Sequence, residues 1–166
     1  MFQLNYRIVK TEYDDFIGQN GFFQISCNDF TYGEIYDFKL EEIMDKEPLY
    51  DWFERIIRTV KELEVRNRVF LSDTESYNTW IEFRKEHDFV TIGLATTETK
   101  IGLMDIEFNL DKIESRNLEG QTVNFQQLKS EIIKKGTEYW DCLIRQNSSN
   151  SLPKSLITNL NELKTY

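Results

Sequence analysis

Four carboxylates on segments that read as strands, Glu34, Asp37, Asp105 and Glu107, are the residues best suited by type to acid–base chemistry. Two carboxyls on one sheet face can act as general acid and general base, the arrangement used in glycoside hydrolysis. A chain with 29 acids produces such pairs by chance, so they single out no reaction. Metal binding has less support. His87 is the only histidine and falls in a predicted turn, whereas zinc sites gather several His and Cys ligands. The adjacent acids Asp14-Asp15 and Glu41-Glu42 lack the alternating spacing of a calcium loop, and neighbours on a strand point to opposite faces. Cys27 and Cys142 belong to no CxxC pattern and read as reduced, buried thiols of a cytoplasmic protein. There is no GxSxG elbow and no phosphate-cradling glycine loop. The chain is therefore expected to be non-enzymatic and to use no cofactor or metal.

Charge says more. The chain carries a net −9, with an isoelectric point near 4.7. Most of that excess lies between residues 29 and 54, where nine acids meet only Lys39 and Lys46. Such a field repels a phosphate backbone and attracts basic surfaces. The basic pairs Arg66/Arg68 and Lys134/Lys135 are too small to reverse it, so nucleic acid is not an expected partner. Aromatic residues interleave with the acids: Tyr32, Tyr36, Tyr50, Trp52 and Phe53. Helical phase commits Trp52 and Phe53 to the core, and the tyrosines suit an exposed, acid-rimmed contact patch. The candidate partner-binding residues are Asp29, Tyr32, Glu34, Tyr36, Asp37, Glu41, Glu42, Asp45 and Glu47. Asp45, Glu47 and Asp51 straddle a helix start, where negative charge also complements the helix dipole.

The elements that position these residues follow from periodicity. Phe2 to Val9 alternates with period two, Phe22 to Ser26 follows a turn, and Tyr32 to Leu40 carries Tyr36, Phe38 and Leu40 on one face. From Pro48 a helix is expected, with Leu49, Trp52, Phe53, Ile56, Ile57, Val60 and Leu63 inward and Asp51, Glu54, Arg55, Arg58, Lys61 and Glu62 outward. Val69 to Leu71 and a hairpin of Thr79–Arg84 and Phe89–Ala95 follow, joined by Lys85-Glu86-His87-Asp88. Leu103 to Leu110 alternates again. A second long helix runs from Asn124 to about Arg145, Asn124 and Gln127 resembling a capping box. Gly136 within its apolar stripe suggests close backbone approach to the sheet. No run of about 18 apolar residues is present, so no membrane span is expected.

The order β-β-β-α-β-β-β-β-α predicts one α+β domain over residues 1–146, a mainly antiparallel sheet packed by two long helices. Residues 147–154 read as a polar linker and 155–166 as a short C-terminal helix or tail. With the acidic balance, the GFFQISCNDFTYGEIYDF segment and the late NFQQLKSEIIKKGTEYWDCL helix, the chain resembles a bacterial immunity protein of a polymorphic or contact-dependent toxin system. That resemblance implies a cytoplasmic protein that binds and blocks one cognate toxin domain with a basic surface, often a nuclease. It carries no residue roles and leaves the oligomeric state open. Two other readings remain: an adaptor domain for another basic protein, or a small acid-dependent hydrolase or ligand-binding domain.

Overall fold

The alternation of Phe2, Leu4, Tyr6 and Ile8 does what its period requires. It builds strand β1 (Phe2–Ile8), with Phe2 and Leu4 buried and Gln3 and Asn5 exposed. The structure is a computed structural model that describes residues 1–37, 39–40, 44–73, 76, 78–98, 105–110, 112–117, 121–148 and 151–165. After β1 come β2 (Gly21–Cys27), β3 (Phe30–Gly33), α1 (Leu49–Glu62), β4 (Arg68–Ser72), β5 (Thr79–Glu86) and β6 (Phe89–Thr97). The chain continues through β7 (Ile106–Glu107), β8 (Ile113–Asn117), β9 (Thr122–Asn124), α2 (Phe125–Gln146) and α3 (Ser155–Thr165). The α+β class is as expected, and every strand pairing is antiparallel.

The described strands form two sheets rather than the single one expected. The first has the order β1-β2-β3; the second runs β7-β4-β5-β6-β8, with β9 also paired to β6. They abut where the β2–β3 turn meets β9: the Asn28 amide donates to the Thr122 carbonyl at 3.2 Å, and the Phe30 N–H to Gln121 Oε1 at 3.0 Å. Both sheets bury one face in a common core with the helices. Helix α1 packs on β2 and β4, α2 on β1 and β9, and α3 on α1 and α2.

Three strand expectations need correction. Tyr32 to Leu40 was read as one strand, but β3 ends at Gly33, where φ is +76° and an added Cβ would lie 2.2 Å from the Phe23 carbonyl oxygen. Asp37 then turns the chain, its Oδ1 accepting from the N–H groups of Lys39 and Leu40. The β5–β6 connection has two residues rather than four, because pairing continues to Glu86↔Phe89, and His87 takes a φ of +56°. Of the expected strand over residues 103–110, residues 105–110 are described and only Ile106–Glu107 of them form a strand, β7; Leu103 and Met104 lie outside the described residues. The short strands β8 and β9 were not foreseen.

The helices follow their apolar stripes more closely. Asn124 caps α2 as expected, accepting from Gln126 N–H at 2.9 Å and Gln127 N–H at 3.3 Å. Gly136 faces Leu160 of α3 and Ile57 of α1 rather than the sheet, so it permits helix–helix approach. Leu156, Leu160 and Leu163 seat α3 in the main core. Full burial of each contributes about 1.5–3 kcal/mol. The polar segment before α3 is anchored as well: Asn147 exchanges two 2.8 Å hydrogen bonds with the Ile17 backbone, and the Tyr50 hydroxyl donates to the Pro153 carbonyl at 3.0 Å.

An acidic cleft at the start of the first helix

Glu47 is the hinge between the first sheet and α1. Its backbone forms an isolated bridge with Gly21, the two N–H···O distances being 2.8 and 3.0 Å. Helix α1 starts two residues later, so Trp52 stands one turn in, and its indole N–H donates to Glu47 Oε2 at 2.9 Å. The Trp52 ring stacks on Phe23 of β2 at 5.1 Å between centroids and meets Tyr32 of β3 at 5.6 Å. Residues three apart on a helix are surface neighbours, which brings Arg55 over the indole with its guanidinium carbon 4.3 Å from the ring centroid.

Arg55 was expected on the solvated face of α1, yet it is only 3% exposed. Arg55 turns its guanidinium inward over the Trp52 ring and against the Ser72 carbonyl of β4 rather than out into water. Its guanidinium is held by carbonyls, Nη1 donating to Ser72 at 2.9 Å and Nε to Asp51 at 3.3 Å. Nη2 has no acceptor among the described residues. Burial lowers the Arg55 pKa, and the negative charges of Asp105, Asp51 and Glu47 and the Tyr32 phenol oppose it. An arginine so placed remains a cation at neutral pH. Burial likewise drives the Tyr32 phenol upward, helped by the charge of Asp73 and a hydrogen bond with it.

Outward from this network lies a cleft of about 410 Å³, lined by Pro48, Asp51, Glu54, Arg55, Arg58 and Asp105. Asp51, Glu54, Arg55 and Arg58 form one helical stripe, so a single face of α1 makes one wall. Arg58 and Asp105 form a half-exposed ion pair at 3.7 Å, and Glu54 accepts from the Ser155 hydroxyl at 3.1 Å. Among the described residues, no group of three or more His, Cys, Asp or Glu is arranged to hold a metal ion.

The candidate residues divide into groups. Tyr32 and Glu47 converge on Trp52, both half-buried. Glu34, Asp37 and Asp45 are exposed and precede the cleft in the chain. Asp29 is exposed too, but it sits at the start of β3 while Glu34 follows its end, roughly 15 Å away along an extended strand. Tyr36 is half-buried with its ring edge-on to Phe22 at 5.3 Å, which ties it to the sheet. Tyr50, read as a contact-patch tyrosine, is instead core: it is 5% exposed and its ring meets Phe16 at 5.5 Å. Glu41 and Glu42 lie outside the described residues. Sequence reasoning missed Arg55 and Asp73. The Trp52–Arg55 spacing was the available signal for the first; the second had none. Neither cysteine forms a disulfide; Cys27 is buried and Cys142 is half-buried.

Comparison with protein-family models, curated proteins and solved structures finds no match to this chain. Among the described residues, no helix is long and apolar enough to cross a membrane.

Proposed function

We propose that this chain is a non-enzymatic protein-binding domain, an immunity-type protein that neutralises a cognate bacterial toxin domain through the acidic surface leading into α1. One observation supports this reading above the others. Glu34, Asp37, Asp45 and Asp51 are exposed, and none of them forms an ion pair among the described residues. Exposed carboxylates with no ion-pair partner among the described residues are accessible to a partner, and their field accelerates encounter with a basic surface. Close to them in the chain, Tyr32 and Trp52 pack with Phe23 in one aromatic cluster.

The toxin reading of the partner comes from the resemblance to immunity proteins, and a basic nuclease cleft is the kind of surface this field would recognise. The test is rescue: co-expression with a toxin domain taken from the gene adjacent to this one should restore growth, and the two should co-purify. Continued toxicity at full expression of a folded chain would overturn the immunity reading. Capture of a different basic protein would favour the adaptor reading.

A further inference from the structure

The dipeptide Asn20-Gly21, at the entry to β2, carries a reactivity that the fold holds in check. In an open chain the Gly21 amide nitrogen can attack Asn20 Cγ, and glycine, having no side chain, hinders that approach least. The Gly21 N–Cγ bond forms, the Cγ–Nδ2 bond breaks and ammonia leaves. Water then opens the cyclic imide to aspartate or isoaspartate. No cofactor and no reactant besides water is needed.

Both reacting groups are engaged in the fold. The nucleophile, Gly21 N–H, donates to the Glu47 carbonyl at 3.0 Å, and the leaving group, Asn20 Nδ2, donates to Asp14 Oδ1 at 2.6 Å. The Asn20 carbonyl accepts from Val9 N–H at 3.2 Å, so the peptide between the two residues is pinned on both sides. Glycine is nonetheless required at position 21, where a Cβ would lie 2.2 Å from the Arg7 carbonyl oxygen. The labile pair is therefore built into the junction of β2 with the start of α1.

We propose that Asn20 is a modification site gated by the Glu47 bridge, deamidating when that bridge and the Asp14 contact open together. The product refits poorly, which makes the change one-way. Aspartate turns a negatively charged acceptor toward Asp14 where a donor stood. Isoaspartate lengthens the backbone by one carbon between the bonds to Val9 and Glu47. Because the neighbouring Gln19 carbonyl accepts from Tyr50 N–H at 3.1 Å, the damage falls on the hinge from which α1 starts.

The full chain is incubated at mildly alkaline pH with and without denaturing urea, and the mass gain from exchanging NH2 for OH is followed by mass spectrometry. The share of that gain lost in Asn20→Gln is assigned to this residue. Wild type should react at least about tenfold more slowly folded than in urea, since two hydrogen bonds must open together. Asp14→Ala should raise the folded rate by about 2- to 10-fold and leave the rate in urea unchanged. The wild-type comparison decides the matter even if Asp14→Ala fails to fold. Reacted chain, separated by anion exchange, should unfold at a lower urea concentration than unreacted chain. Equal rates folded and unfolded, or no mass gain at Asn20 in urea, would overturn the proposal. So would a folded rate unmoved by Asp14→Ala, or a reacted chain as stable as the original.

Discussion

Glu47 offers the sharpest test of which acids serve the fold and which are available to a partner. Glu47→Ala removes the acceptor for the Trp52 indole N–H, and Trp52 is only 1% exposed. A hydrogen bond to a charged group contributes about 1.5–3 kcal/mol, and an orphaned buried donor accounts for much of that loss. Glu47 itself is half-buried, so water can partly refill the space, placing the expected cost at about 1.5–2.5 kcal/mol. With a urea slope of about 2 kcal/mol/M, the unfolding midpoint should fall by roughly 1 M. Glu47→Gln keeps an amide oxygen in reach and should lose about half as much. The bond itself is isolated by a double-mutant cycle with Trp52→Phe, which removes the donor: in that background Glu47→Ala should cost under about 0.5 kcal/mol. Equal cost in both backgrounds, or a Glu47→Ala midpoint matching wild type, would refute the assignment.

Three further outcomes follow from the packing. Leu160→Ala should destabilise by about 2–5 kcal/mol in denaturant melts, because Leu160 is fully buried where α3 meets Gly136 and Ile57; a cost below 1 kcal/mol would mean that α3 is peripheral. Gly33→Ala should cost at least about 1–3 kcal/mol, since the left-handed φ of +76° and the 2.2 Å approach to the Phe23 carbonyl both penalise a Cβ; an unchanged Tm would show that the chain exits β3 differently. Burial raises the phenol pKa of Tyr6 from 10.0 to about 12 and pushes Tyr32, Tyr50 and Tyr139 up as well. A group whose pKa is raised on folding stabilises the native state below its unfolded pKa and loses that contribution as pH climbs through the folded value. Tm should therefore hold up to pH 9.5 and fall steeply above about pH 10, with tyrosinate absorbance rising together with unfolding; a flat Tm to pH 11.5 would contradict this burial.

Much of the fold was legible because it rests on local periodicity. The period-two run in β1, the apolar stripe of α1 and the Asn124 cap of α2 each specify their element without outside help. The segment 155–166, read as a short C-terminal helix or tail, holds α3. What failed depended on distant partners. Nothing local in Tyr32 to Leu40 announces that Gly33 must turn beside Phe23, or that the strands divide into two sheets abutting at Gln121 and Thr122. The three-residue β9 is too short to show a period, and it exists because the long β6 has room for it beyond β8. The acids were visible as composition, but their sorting was not. Glu47 is engaged by an indole and Asp37 by two backbone amides, whereas Glu34 and Asp45 stay solvated. Arg55 was misplaced because a charged residue at an outward helical phase is normally solvated, whereas here the Trp52 ring and the distant Ser72 carbonyl hold it inward.

The central claim is that the exposed acids leading into α1 steer a basic partner. The direct measurement is the association rate with a toxin domain that the rescue assay shows to be its partner, by stopped-flow across ionic strength, for wild type and for Glu34→Lys/Asp37→Lys/Asp45→Lys. The triple variant should lose only about 0.5–2 kcal/mol, because Asp37 gives up its bonds from the Lys39 and Leu40 N–H groups while Glu34 and Asp45 make no ion pair among the described residues. At low salt its association rate should drop by at least about tenfold, and the gap should close as salt screens the field. An association rate unchanged by the triple reversal at every ionic strength would contradict the claim.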